Sequence, residues 1–180
     1  MRILAFDPSK ECTGFALVEG DGTADPRLVT AGKITFSDTQ KKDVLAWTSG
    51  LFAEVLGVIK QDQPDRVVVE LPASKNKPWS KIDKQAPLHI PTYGIAVGCV
   101  LLAVMHEMPT RDRIDTVPVD LWSRGIARGG EHKEGRVRAA AYAFGVEVSW
   151  FGCKTDAGNL ADAALLARWV YLDRLRRNVA

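Results

Sequence analysis

Histidine is scarce in this 180-residue chain, which has three, and its three cysteines, Cys12, Cys99 and Cys153, stand far apart with no pair two residues from another. That argues against a zinc site and against a disulfide framework, and the expected setting is a reducing cytoplasm. The N-terminus lacks the basic, apolar and small-residue succession of a signal peptide. The apolar stretch from Ile95 to Met105 is too short to span a bilayer, so no membrane association is expected. There is no internal repeat and no low-complexity linker. The formal net charge of +2 is too small to mark a nucleic-acid binder, so any electrostatic reading has to come from where the charges sit. At 46% hydrophobic and 26% charged residues, residues 1–180 fit a single domain long enough to bury a core.

What is present is an ordered run of strand and helix signals. Arg2 to Asp7, Gly14 to Glu19 and Leu28 to Phe36 read as three strands separated by turn residues, an antiparallel meander. Ser37-Asp38-Thr39-Gln40 has capping-box spacing, and Val44, Trp47, Leu51, Val55 and Ile59 then recur at three and four residues, as in a helix packed on a sheet. Pro64 breaks the pattern. Arg66 to Leu71 reads as a central strand covered on both faces, Tyr93 to Met108 as a buried helix and Ile114 to Val119 as a last strand. Val137 to Phe144 and Leu160 to Leu175 complete the set as helices. The order predicts an α/β fold with a mixed sheet. Trp47 and Trp150 are expected in the core, and the cysteines are expected to be structural.

Two strands end on an acid: "LAFD" on Asp7 and "VVVE" on Glu70. If the first and fourth strands are neighbours, these acids meet. Carboxylates gathered at one sheet end repel, and cations between them allow all to stay ionised. Hard oxygen ligands suit Mg²⁺, with Mn²⁺ able to substitute. Two such ions about 3.5 to 4 Å apart can drive phosphodiester hydrolysis without a His, Cys or Ser nucleophile and without a small-molecule cofactor. A third acid is sought on a helix packed at that edge, and "KTDAGNLADAALLA" offers Asp156, Asn159 and Asp162. At about 100° per residue, Asn159 and Asp162 share a helical face and Asp156 does not. Asp162 is therefore read as a ligand with Asn159 beside it, and Asp156 as an N-cap.

These stretches, with "VPVDLWSRGIARGGEHKEGRV", resemble in order and spacing the RuvC-type Holliday junction resolvases, a branch of the RNase H-like nucleases. The resemblance covers most of the chain. It implies an RNase H-like fold, a mixed five-stranded sheet with helices on both faces, and metal-dependent cutting of four-way junction DNA by a homodimer, in recombination or phage genome processing. It further implies catalytic roles for Asp7, Glu70, Asp162 and the basic Lys133, with metal held by Asp7, Glu70, Asn159 and Asp162. Asn159 stands where the family commonly has Asp, so the second ion should bind more weakly. Lys75, Lys77, Lys81 and Lys84 with Trp79, then Arg124, Arg128 and Lys133, and the "RLRR" tail, are the expected DNA contacts, cations on phosphate and an indole that stacks or wedges. The helix from Tyr93 to Met108 is a candidate dimer interface. Two alternatives stay open: an RNA-cutting nuclease of the YqgF type on the same fold, and a junction-binding module with a weakened site.

Overall fold

The computed structural model describes residues 1–22, 25–72, 89–125, 132–152 and 157–179. Five strands, β1 (Arg2–Asp7), β2 (Thr13–Glu19), β3 (Arg27–Ile34), β4 (Arg66–Leu71) and β5 (Ile114–Pro118), form one mixed sheet in the order β3-β2-β1-β4-β5. The first three make the expected antiparallel meander, and β1, β4 and β5 run parallel.

Helices cover both faces. On one lie α2 (Val44–Asp62) and α3 (His89–Glu107), packed on Leu4, Phe6, Leu17, Val67 and Val69. On the other lie α4 (Val119–Trp122), α5 (His132–Phe144) and α6 (Ala157–Val179), packed on Ile3, Ala5, Ala16, Val18 and Val68. The alternation is the two-residue period of a strand. It explains why "VVV" in β4 is apolar throughout: Val67, Val68 and Val69 are all fully buried, on opposite faces in turn. No helix among the described residues is long and apolar enough to cross a membrane.

Local chemistry moves some of the expected boundaries. The capping box closes, with Gln40 N–H donating to Ser37 Oγ at 3.3 Å and Ser37 N–H to Gln40 Oε1 at 3.0 Å. The helix it starts, α1 (Asp38–Lys42), nevertheless stops after five residues. Asp43 leaves helical geometry and its Oδ1 accepts from Leu45 and Ala46 N–H, which caps α2 afresh. The stripe Trp47, Leu51, Val55 and Ile59 is buried as its spacing predicts. α3 begins before Tyr93, at His89, because Pro91 falls in its first turn, where a missing N–H costs no helical bond. Trp150 is a correction: it is 42% exposed. It lies in a short 3₁₀ turn, Val148–Phe151, where Phe151 takes the buried place and Trp150 leans edge-on against it, with ring centroids 5.3 Å apart.

Candidate active site

The site follows from strand period and register. β1 pairs with β4 in parallel, Phe6 opposite Val69, so Asp7 and Glu70 come next on neighbouring strands at their carboxyl ends. Asp7 continues the Ile3-Ala5 row and Glu70 follows Val68, so the backbone period directs both acids to the α6 face.

α6 runs back along the sheet with its N-terminus at these strand ends. Asn159 Nδ2 donates to the Cys12 carbonyl in the β1–β2 turn at 2.7 Å, and near the other end of the helix Tyr171 Oη accepts from Gly22 N–H at 2.8 Å. Gly14 on β2 and Gly20 just past its end permit this closeness. A Cβ on Gly14 would collide with the Asn159 carbonyl, and one on Gly20 with the Tyr171 hydroxyl. The turn after Asp7 is knit by its own side chains. Ser9 Oγ donates to Cys12 O at 2.9 Å and accepts from Cys12 N–H at 3.0 Å, while Thr13 Oγ1 donates to Ser9 O at 3.1 Å. The Ser and Thr of "DPSKECTG" thus fix the chain beside Asp7.

Asp162, a turn into α6, is 8% exposed, and Glu70 is 7% exposed. Burial, and then the Asp162 carboxylate, push the Glu70 carboxyl up to about 7; an N–H from Trp122 and the charge of Arg136 pull the other way. Trp122 Nε1 donates to Glu70 Oε2 at 3.1 Å, and Arg136 Nη1 reaches Asp162 Oδ2 at 2.5 Å. Tyr93, half-buried on α3, has its hydroxyl pushed above the usual phenol range by burial and then by Glu70 and Asp7. Its hydroxyl therefore senses the acids from both strands.

Asp7 and Glu70 end neighbouring strands, and Asp162 adjoins Glu70. Asn159 is tied through its amide nitrogen to Cys12, which leaves Oδ1 as the atom it has for a cation. Lys133 falls in the first turn of α5, and nothing of its side chain lies among the described residues. Lys75, Lys77, Trp79, Lys81, Lys84, Arg128, Asp156 and Cys153 lie outside the described residues. Arg124 is exposed and pairs with Asp120 at 3.3 Å. In the "RLRR" tail Arg174 is bound to Asp115 at the start of β5, and Arg177, exposed, pairs with Asp173 at 2.8 Å. Sequence reading missed Trp122, Arg136 and Tyr93. The one available signal was helical spacing, which puts Arg136 on the Lys133 face of α5.

Among the described residues no three His, Cys, Asp or Glu side chains stand close enough to form a ready metal cage. The donor chemistry still fits a hard divalent cation. Glu70 and Asp162 are adjacent carboxylates whose repulsion is part of what holds Glu70 near neutrality, and a cation between them removes that repulsion.

No family model and no curated protein sequence matches the chain. Among solved structures it is similar to Thermus thermophilus RuvC in complex with a Holliday junction substrate, at 18% identity and TM-score 0.69, covering 97% of this chain and 96% of that one. Thermus thermophilus RuvC alone gives 20% identity and TM-score 0.67 over 98% and 97%. The yeast mitochondrial Holliday junction resolvase Ydc2 gives 11% and 0.60 over 98% and 83%. The fold is RNase H-like: a mixed five-stranded sheet with helices on both faces.

Proposed function

We propose that this chain is a divalent-metal-dependent endonuclease that cuts four-way DNA junctions. The observation that carries the reading is the pairing of Glu70 with Asp162, beside the end of the strand that bears Asp7, in a fold shared along nearly its whole length with a resolvase solved on its junction. Asp7, Glu70, Asp162 and the Oδ1 of Asn159 would hold Mg²⁺ or Mn²⁺, two ions for a full site. Bound there, such ions supply an acidified water and a counter-charge for the leaving oxygen.

The chain's own groups have separate tasks. Trp122 N–H holds one Glu70 oxygen. The Tyr93 hydroxyl, pushed above its usual range, stays protonated and serves as a donor rather than a base. Lys75, Lys77, Lys81 and Lys84, with Arg124, Arg128 and Lys133, bind phosphates, and Trp79 stacks at the branch point.

Two symmetric nicks need two related sites, so the working unit is a homodimer acting in the cytoplasm. Ile95, Leu102 and Met105 form an exposed apolar stripe along α3, with Leu102 62% exposed, and this supports α3 as the interface. The test is cleavage of a labelled four-way junction in Mg²⁺ beside duplex, single-stranded DNA and RNA. Junction-selective paired nicks are expected. Preference for RNA would instead favour the YqgF-type activity, and binding without cutting a junction-binding module.

A further inference from the structure

Asp162 is buried among the alanines and leucines of α6, and its charge is met by a guanidinium that reaches over from α5. Arg136 Nη1 lies 2.5 Å from Asp162 Oδ2, with side chains 28% and 11% exposed. The Arg136 side chain is therefore open to solvent on part of its surface while its tip is engaged inside. An arginine stays charged at any working pH, so it cannot vacate a carboxylate by losing a proton and must be displaced by a rival cation. It also has a second natural partner, since the same planar fork binds phosphate oxygens. Loss of the guanidinium would remove a positive charge that opposes the repulsion between Glu70 and Asp162, and a cation arriving there would supply that charge again. Departure of the arginine and arrival of a cation are therefore one exchange.

We propose that Arg136 gates the cation site: it occupies Asp162 in the DNA-free protein and passes to a DNA phosphate as the divalent ion takes its place. This rests on the nuclease reading above. Metal and DNA then strengthen each other's binding through a single side chain, and the linkage is reciprocal.

The test uses the full chain stripped of metal. Mn²⁺ binding is followed by electron paramagnetic resonance of the free ion for wild type, Arg136→Gln, Arg138→Gln as a charge-matched control on the same helix, and Glu70→Gln with Asp162→Asn. Arg136→Gln should bind Mn²⁺ about five- to tenfold more tightly, the scale of one partly exposed ion pair, and Arg138→Gln should match wild type. In a second arm, junction affinity is read by anisotropy in EDTA and in Ca²⁺, with the strands checked intact on a gel. Ca²⁺ should strengthen binding more in wild type than in Arg136→Gln. Melting curves guard against a folding artefact, because Arg136→Gln should melt lower than wild type without metal and recover more when Mn²⁺ is added.

Equal or weaker Mn²⁺ binding by Arg136→Gln overturns the gate while leaving the metal site standing. Equal tightening by both arginine variants also overturns it, since net charge alone then accounts for the effect. Wild-type Mn²⁺ binding that does not change on removing Glu70 and Asp162 overturns the metal reading itself, and the gate with it.

Discussion

Glu70→Gln separates the electrostatic cost of this site from its use. The glutamate carboxyl moves from 4.5 to about 7 on folding, driven first by burial and then by Asp162. The folded state thus holds the proton more tightly than the unfolded state. Its contribution to stability is complete below about pH 4.5 and is lost as pH rises through about 7. At about 1.36 kcal/mol for each unit of pKa, the loss approaches about 3 kcal/mol once both states are ionised. Glu70 is only 7% exposed, so solvent screening removes little of this. Gln keeps an oxygen for the Trp122 N–H and deletes the charge, so stability of the variant should lack this fall. Urea unfolding of both proteins in EDTA, from about pH 4 to about pH 8, should show wild type losing up to about 3 kcal/mol relative to the variant. Added Mg²⁺ at the upper pH should restore wild type and leave the variant unmoved, and the variant should not cut junctions. Parallel stability curves for the two proteins would refute the idea that Glu70 is buried against a second acid.

Asp7→Asn should abolish junction cleavage with binding kept or tightened, since it removes a ligand and a charge facing phosphate; undiminished cutting in saturating Mg²⁺ takes Asp7 out of the site. Replacing Lys75, Lys77, Lys81 and Lys84 by Ala should weaken junction binding and flatten its salt dependence, and an unchanged slope would show that the loop is only solvated. Gly14→Ala should cost about 1–3 kcal/mol in thermal or urea unfolding and weaken Mn²⁺ binding as well, because the new methyl pushes back the α6 turn that carries Asn159; wild-type values for both would mean that the close approach is not needed. Asn159→Asp should lose about 1–3 kcal/mol in EDTA, since the donor to the Cys12 carbonyl disappears and a charge faces that oxygen. An unchanged melting curve would show that the amide tie contributes nothing.

The sequence by itself determined the elements and where along them the acids fall. Asp7 and Glu70 each close a strand, helical spacing puts Asn159 and Asp162 on one face, and unbroken "VVV" announced a strand covered on both sides. These are local properties, set by backbone geometry within a few residues. Adjacency was a different matter. That β1 lies next to β4, with Phe6 opposite Val69, was a supposition until the sheet order stood. The two tryptophans show the same limit: Trp47 sits in a helical stripe that any amphipathic reading buries, whereas Trp150 and Phe151 are equally apolar and only the 3₁₀ turn decides which faces the core. Trp122 on Glu70, Arg136 on Asp162, Tyr93 within the field of both strand acids and Asn159 on Cys12 are contacts between residues far apart in the chain. No spacing rule encodes such pairs. They arise when two helices and two strands are brought to one sheet end, where a buried charge has to find whichever partner the packing presents.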